Sequence, residues 1–475
     1  MTTEIIQKPK FNTFHLFIAL YVLVLWLLPN QNQTGDAYGY AFSMESAQFL
    51  TSPHHLFYNW LGYFVAKLFP GLALFVMVKL NTLLLGAGLW LQYKMLSQMT
   101  NSQKAQAFVV FTAFCFASLR FAGLNETYII PLFLSLLGSY LLLNQSQSIK
   151  IFMGFAFLAL AVLFHQIHIF WLIAWAIAYT AQSKKHMAAI IMAFTAIGIT
   201  YLGFALADNS NLWQFITQDV QSGLVETNIG RDNFIYTAIN MVRTILQVHG
   251  HVFELLVIYP ILWICIVVLL TSLGAFFYFK GKSIKPWAQS QPFYLAATIA
   301  FFMHLTFAFY SVGNAEFMVM LPFLAVLSFG RYIHFSAKSI IILAIGIGVW
   351  NMSFYVIPKN IFNDTQNEQI RVFLQENNAK YFVAYDRTEF TNYMDWKNSM
   401  SKQSRSIQIL DMQKDSAIIQ SILKQQKVYT NVADYPSTKN RRSMSETNKT
   451  WPYTYQKLKN LPTWRGPIEL SIIKE

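Results

Sequence analysis

Long apolar runs joined by short polar connections make up the chain from Phe14 to about Pro358. A membrane-spanning helix needs roughly 20 largely apolar residues. The pattern therefore predicts about eleven transmembrane helices. They are placed at 14–28, 70–94, 105–119, 128–145, 151–164, 167–181, 187–206, 252–279, 291–310, 317–331 and 338–356.

The pattern changes at Pro358, because the remaining chain is polar and alternates segments of helical period with segments of strand period. This alternation predicts a small α/β domain at 357–475, after an all-α membrane module at 1–356. The predicted elements of the tail are a helix at 367–377, strands at 380–385 and 406–410, a helix at 416–425 and a strand at 427–432.

Composition agrees with a membrane protein. Hydrophobic residues make up 55% of the chain and charged residues 12%, whereas about a quarter of the residues of soluble proteins are charged. The net charge of +13 does not indicate nucleic-acid binding, because most of the length is predicted to lie in lipid. Cys115 and Cys265 both fall in apolar runs, so neither a disulfide framework nor a cysteine-based metal site is expected.

The basic residues predict the orientation, since short loops rich in Lys and Arg stay in the cytoplasm. The first apolar run lacks a small-residue cleavage site, so it is interpreted as a retained helix with a cytoplasmic N-terminus. An odd number of spans then places the tail in the periplasm of an inner-membrane, multi-pass protein. The basic residues of the predicted inner loops are Lys94, Lys104, Lys150, Lys184, Lys185, Lys280, Lys282, Lys285, Arg331 and Lys338.

Acidic residues gather on the opposite side. Ten precede residue 357, and all except Glu4 fall in predicted outer loops or at outer helix ends. Longer outer loops explain some of them but not Asp36, Glu126 and Glu316, which lie close beside apolar helices. A carboxylate at a membrane boundary is costly and is often functional.

The loop after the first helix carries the strongest candidate, Asp36. A carboxylate there can act as a general base on a hydroxyl group, or it can simply cap the following helix. His54, His55 and Tyr58 follow, and such side chains can bind or protonate a phosphate leaving group.

Three further groups lie at predicted outer helix ends. Arg120 offers a planar fork for phosphate, while Glu126, beside Tyr128, could orient a sugar hydroxyl, hold a metal or pair with Arg120. His165 and His168 are three residues apart and could share a helix face as metal ligands, although an interfacial pair without a third ligand is a weak signal. Glu316 is a further acid at a helix start.

These short motifs together resemble the GT-C superfamily of polytopic glycosyltransferases, which includes protein O-mannosyltransferase-like and lipid A aminoarabinose transferase-like enzymes. The resemblance rests on the Asp of the first outer loop, His-His-Leu-Phe-Tyr at 54–58, Asn-Glu-Thr-Tyr at 125–128 and Ala-Val-Leu-Phe-His at 161–165. It covers the layout of residues 14–356. It implies that Asp36 is catalytic and that the donor is a polyprenyl-phosphate sugar. Many members have paired acids in this loop, whereas here Ala37 follows Asp36.

A lipid-phosphate donor has its reactive bond at headgroup level, so an enzyme that uses it needs cationic groups at the outer surface. Arg120, Arg231 and Arg243 are the candidates, and the amphipathic segment 237–248 is expected to lie along that surface. The expected partners are the donor, membrane lipids and an acceptor that is a glycan, a lipid or a protein. No organic cofactor is expected, and dependence on a divalent metal ion is left open.

Other classes remain as alternatives. A lipid or glycan transporter or flippase would use the acids along a translocation path, although no internal repeat is visible. An O-antigen polymerase or ligase would depend chiefly on arginine and histidine. A non-catalytic membrane scaffold is the third alternative.

Overall fold

The structure is a computed structural model. It describes residues 13–143, 148–181, 186–221, 229–248, 251–279, 291–401, 406–412, 414–432, 453–464 and 466–474. The orientation signals at Lys184, Lys185, Lys280, Lys282 and Lys285 lie outside these residues.

Helices form wherever the sequence predicts an apolar span. In chain order they are α1 (Thr13–Leu27), α2 (Gly35–Ser46), α3 (Tyr58–Leu68), α4 (Ala73–Met99), α5 (Ser102–Phe114), α6 (Phe116–Ala122), α7 (Ile129–Leu143), α8 (Ser148–Phe164), α9 (Ile169–Thr180), α10 (Met187–Ala207), α11 (Leu212–Gln221), α12 (Arg231–Ile245), α13 (His251–Ile258), α14 (Trp263–Tyr278), α15 (Gln291–Tyr310), α16 (Leu321–Phe329), α17 (Ala337–Asn351) and α18 (Ile357–Ile361). Single 3₁₀ turns precede α9, α14 and α16, and a π-helical turn, Met352–Val356, joins α17 to α18.

The protein is a multi-pass membrane protein. Within the described ranges, six helical segments are long and apolar enough to cross a membrane, or seven if the bent pair α5 and α6 counts as one. Shorter apolar helices occur at α1, α7, α8 and Gln166–Thr180. The count of about eleven spans stays a prediction.

Two predicted helices are broken. The helix expected at 105–119 bends by 59° between α5 and α6, where Cys115 is extended and the Ser118 hydroxyl donates to the Thr112 carbonyl oxygen at 2.7 Å. The helix expected at 252–279 is interrupted at Pro260, because proline lacks the amide donor and moves the preceding residue out of helical conformation.

Small and polar residues hold the bundle together. A Cβ added to Gly138 of α7 would lie 2.8 Å from the Gly154 carbonyl oxygen of α8, so glycine permits this close crossing. The Asn351 side-chain amide donates to the carbonyl oxygens of Phe114 and Ile245, each at 2.8 Å. It therefore ties α17 to the bend after α5 and to the end of α12.

The tail forms a mixed sheet flanked by helices. Its elements are α19 (Asn367–Glu376), β1 (Tyr381–Val383), α20 (Arg387–Ser401), β2 (Gln408–Leu410), α21 (Ser416–Leu423), β3 (Val428–Thr430), β4 (Thr454–Leu461) and β5 (Ile468–Lys474). The strand order is β2-β1-β3-β5-β4. Strand β1 is parallel to β2 and β3, and the hairpin β4–β5 is added antiparallel to β3.

The predicted α/β tail is confirmed, although three of its elements were missed. Helix α20 contains Thr, Asn, Asp and Ser, which have modest helix propensity, and it is stabilised by burial of Phe390, Tyr393 and Trp396. Strand β4 is mostly exposed and carries Lys457 and Lys459, so it lacks the apolar alternation that identifies a strand.

The apolar core of the tail is shared with the membrane module. Tyr38 and Ala41 of α2, with Leu74 and Val78 of α4, belong to the same buried cluster as the tail's Phe382. The tail is therefore docked on α2, the helix that carries Asp36.

Candidate active site

Thr34 fixes the start of α2. Its hydroxyl oxygen accepts a hydrogen bond from the Ala37 amide at 3.1 Å, as a threonine N-cap does. Asp36 lies in the first helical turn, where the helix dipole favours a negative charge. The capping role that the sequence also allowed for Asp36 thus belongs to Thr34.

Side-chain amides satisfy the loop between α6 and α7, which is buried. The Asn81 amide donates to the carbonyl oxygens of Leu124 and Glu126 at 2.8 and 3.1 Å. The Gln33 side chain accepts from the Asn125 amide at 2.9 Å. Because buried backbone groups without partners are costly, these bonds fix the loop between α4 and the segment that precedes α2.

Tyr58 is part of this scaffold. Its hydroxyl donates to the Asn125 side-chain oxygen at 2.8 Å, and the Asn125 side-chain amide donates to the Ala37 carbonyl oxygen at 2.8 Å. Tyr58 is fully buried. In this structure its hydroxyl therefore supports α2 through the Asn125 side chain.

Glu126 is buried beside Thr34 and accepts a hydrogen bond from its hydroxyl. Burial, together with the charges of Glu316 and Asp36, raises the pKa of Glu126 well above its ordinary value. The neutral acid is favoured as a result. The ion pair with Arg120 that the sequence allowed is not the one formed.

Arg120 pairs with Glu316 instead, at 3.6 Å. The Tyr128 hydroxyl donates to the other Glu316 carboxylate oxygen at 3.2 Å. Residues from α6, from the loop before α7 and from the turn before α16 thus meet at one point.

Arg243 of α12 reaches the same place. Its guanidinium lies 5.8 Å from the centre of the Phe116 ring. Burial and the charge of Arg120 lower the pKa of Arg243 to about 10, so the side chain keeps its charge at neutral pH. No described residue accepts a hydrogen bond from its buried Nε. Two neighbouring guanidiniums with a free donor suit an anion such as a phosphate.

Asp36 is exposed in the first turn of α2. Desolvation by the protein around it, followed by the charge of Glu316, raises its pKa, and His54 acts in the opposite direction. A carboxylate with a raised pKa is a better proton acceptor at neutral pH. Glu316 therefore acts electrostatically on Asp36 while it pairs with Arg120.

Three of the predicted histidines border the cluster. Between ring centres, His54 lies 4.1 Å from His55 and 6.1 Å from His165. The ring centres of His165 and Tyr128 are 5.0 Å apart. His55 is buried, and burial lowers its pKa well below the ordinary value. It is therefore neutral in the folded protein.

Two predicted residues lie apart from the cluster. His168 faces the bundle interior, where its Nδ1 lies 2.8 Å from the Ser135 hydroxyl and its ring 6.0 Å from that of His304. Arg231 is exposed at the first residue of α12, about 18 Å along the helix from Arg243 at 1.5 Å per residue. No group of three or more His, Cys, Asp or Glu side chains in the described part of the chain is arranged to hold a metal ion.

Sequence reasoning missed Tyr355. Its ring lies 4.9 Å from that of Phe116, and the Asn30 side-chain amide donates weakly to its hydroxyl at 3.4 Å. Tyr355 lies in the π-helical turn before α18, and such turns occur frequently at functional sites. Pro358 was the available signal, because it removes an amide donor and disturbs the helix before it.

Two solved structures resemble the whole chain. ArnT from Cupriavidus metallidurans bound to undecaprenyl phosphate is 10% identical, with a TM-score of 0.57 and 98% of each chain covered. The apo state of the same protein is 11% identical, with a TM-score of 0.51 and 97% of each chain covered. No family model matches the chain, and no curated protein sequence matches it. The chain therefore has the fold of these ArnT structures over nearly its whole length, which confirms the fold that the resemblance to aminoarabinose transferase-like enzymes implied.

Proposed function

We propose that the protein is a membrane glycosyltransferase that transfers a sugar from a polyprenyl-phosphate donor to an acceptor at the periplasmic side of the inner membrane, with Asp36 as the general base. The observation that carries this proposal is the position of Glu316. It pairs with Arg120, and its charge acts on both Asp36 and Arg243. A proton acceptor and a pair of cations thus interact electrostatically with the same carboxylate.

The fold supports the choice of donor. One of the similar ArnT structures is bound to undecaprenyl phosphate, and this chain matches it almost end to end. A phosphate at the end of a polyprenyl chain fits a cationic pair at the outer end of apolar helices.

The reaction follows from these groups. Asp36 takes the proton of the acceptor hydroxyl or amine, and the acceptor atom forms a bond to the anomeric carbon of the sugar. The bond between that carbon and the phosphate oxygen breaks, and polyprenyl phosphate leaves with the electron pair. Arg120 and Arg243 stabilise the negative charge that develops on the phosphate.

A transfer assay tests this function. Membranes that contain the protein are incubated with undecaprenyl-phosphate sugars, including hexoses and aminoarabinose, each labelled in the sugar. We expect label in an acceptor fraction and an equal amount of free undecaprenyl phosphate with at least one donor. Movement of an intact labelled donor between the leaflets of reconstituted vesicles, without its cleavage, would favour a flippase instead.

The proposed orientation is supported by the basic residues within the described ranges. The Lys104 ammonium donates to the Ile333 carbonyl oxygen at 2.6 Å, and the Lys338 ammonium lies 4.7 Å from the Phe279 ring. Loops that carry lysine therefore meet at the end of the bundle opposite Asp36. That end is the cytoplasmic one under the positive-inside rule.

Cysteine labelling tests the orientation. In a background with Cys115→Ala and Cys265→Ala, we expect Lys424→Cys in the tail to react with a membrane-impermeant maleimide in cells whose outer membrane is permeable. We expect Gln103→Cys to react only after lysis. Both positions are exposed, so burial does not limit either reaction. Labelling of Gln103→Cys without lysis would reverse the proposed orientation.

A further inference from the structure

The tail contacts the helix that carries Asp36 through aromatic packing. The Tyr38 ring of α2 stacks on the Trp396 ring of α20 at 5.5 Å, and it meets the Tyr393 ring edge-on at 5.1 Å. All three side chains are buried. Helix α20 is thereby held along α2, two residues from Asp36.

A hydrogen bond joins the two helices at the candidate base itself. The Asn392 side-chain amide donates to the Gly35 carbonyl oxygen at 2.9 Å. That carbonyl belongs to the planar peptide group that ends at the Asp36 amide and Cα. Asn392 therefore restrains the orientation of the backbone from which the Asp36 side chain projects.

Two glycines make this approach possible. A Cβ added to Gly35 would lie 3.2 Å from Glu389 Cα, and one added to Gly39 would lie 3.0 Å from the side-chain amide nitrogen of Asn392. Glycine within a helix is destabilising relative to alanine. The cost at Gly39 is explained by the close contact with Asn392, one helical turn after Gly35.

We propose that Asn392 of the C-terminal domain is a positioning residue for Asp36, so that the tail completes the active site. This inference rests on the proposed function. Its physical basis is that a displacement of about 1 Å in a catalytic group can lower the rate by about 100-fold. Without the bond from Asn392, the first turn of α2 would keep the side-chain hydrogen bonds that Thr34 and Asn125 make to the Ala37 backbone, while the Gly35 carbonyl oxygen next to Asp36 would lose its side-chain donor.

The start of α20 also contributes charge. The Asp386 carboxylate accepts from the Glu389 amide at 3.0 Å, and its charge acts on Asp36 in the same direction as Glu316. The other titratable groups that act electrostatically on Asp36 or share its cluster are His54, Tyr40 and Glu126. Separation of α20 from α2 would both hydrate Asp36 and remove the influence of Asp386.

Asn392→Ala tests the proposal. We expect kcat to fall by about tenfold, within the range that misplacement produces, while the KM for the donor stays unchanged. Because the folded protein raises the pKa of Asp36, a released Asp36 should titrate lower. In a plot of kcat against pH, the acid limb should therefore move to lower pH.

Asn377→Ala is the matched control. The Asn377 side-chain amide donates to the Phe373 carbonyl oxygen at 2.8 Å, which is the same kind of bond within the tail and away from α2. We expect this variant to keep both kcat and the pH profile. An equal loss in both variants would mean that the tail acts only through its stability, and the proposal would be wrong.

A double variant adds a test of the contact. Gly39→Ala alone should lower kcat, since its methyl group displaces Asn392. In the Asn392→Ala background the methyl group has space, so Gly39→Ala should add little further loss. Fully additive losses would mean that the two residues act independently and would contradict the proposal.

A chemical measurement separates this inference from the proposed function, because it needs no transfer activity. In the cysteine-free background, Asp36→Cys is labelled with a maleimide, alone and combined with Asn392→Ala or Asn377→Ala. We expect Asn392→Ala to speed labelling severalfold and Asn377→Ala to leave the rate unchanged. An unchanged rate with Asn392→Ala would overturn the positioning role even in an active enzyme. Absence of transfer by the wild-type protein would overturn the proposed function alone.

Discussion

Asp36→Asn is expected to lower glycosyl transfer by about 10²–10⁴-fold, the range that general-base catalysis contributes. The amide keeps the shape of the side chain and removes its ability to accept a proton. Asp36 is exposed at the start of α2, where Thr34 caps the helix. Membrane insertion and binding of undecaprenyl phosphate should therefore stay at the wild-type level.

The direction of the pH dependence identifies the role of Asp36. Its pKa is raised, first by desolvation and then by Glu316, and a general base works only when it is deprotonated. Activity should rise with pH through this raised pKa, so the acid limb should lie above the ordinary range of aspartate, about 3.9. A general acid would give the opposite limb, with activity falling as pH rises through the same value.

Asp208→Asn is a suitable control, because Asp208 is an exposed acid just after α10, at the same end of the bundle. We expect it to retain full transfer. Asp36→Glu should lose activity as well, because the added methylene misplaces the carboxylate. Full transfer by Asp36→Asn would exclude Asp36 as the base and make Glu316 the next residue to test.

The sequence was sufficient for the class of fold, because hydrophobic length is a direct physical requirement of a bilayer. Helices such as α10 and α15 begin and end close to their predicted bounds. Breaks within runs were not predictable from hydrophobicity. The bend at Cys115 leaves composition unchanged, and the carbonyl oxygens of Thr112 and Phe114 that it frees accept hydrogen bonds from Ser118 and Asn351.

The candidate site was predicted in part. Asp36 and Glu316 were chosen because an acid beside apolar helices is costly, and Arg120 because its guanidinium suits a phosphate. In the structure Arg120 and Glu316 form an ion pair, and the charge of Glu316 acts on Asp36. Their pairing was not predictable, since Arg120 and Glu316 are 196 positions apart in the chain. The sequence allowed Arg120 to pair with Glu126, which is far closer along the chain.

The contribution of the tail could not be read from the sequence. Helix α20 has modest intrinsic propensity, and its aromatic residues are buried partly against α2. Asn392 is one of several asparagines in a polar segment, and nothing local marks it. Its tertiary contacts with Gly35 and Gly39 of α2 distinguish it from the other asparagines of that segment.

The second large effect is expected at the arginine pair. Arg243→Ala and Arg120→Ala should each raise the KM for a polyprenyl-phosphate sugar by roughly 10- to 150-fold, which corresponds to the loss of a hydrogen bond to a charged group worth about 1.5–3 kcal/mol. Arg243→Lys should restore little of the donor affinity that Arg243→Ala loses, because an ammonium lacks the planar fork that meets two phosphate oxygens.

Arg231→Ala supplies the control within the same helix. Arg231 is exposed at the start of α12, about 18 Å from Arg243 at 1.5 Å per residue, so a phosphate held by Arg243 and Arg120 does not reach it. We expect the KM of Arg231→Ala for the polyprenyl-phosphate sugar to match that of the wild type. Binding of undecaprenyl phosphate to the purified variants should rank them in the same order without any turnover. Undecaprenol, which lacks the phosphate, should bind all variants equally. If Arg231→Ala instead weakened phosphate binding as much as Arg243→Ala, the anion would be held along the exposed face of α12, and the paired site beside Glu316 would be wrong.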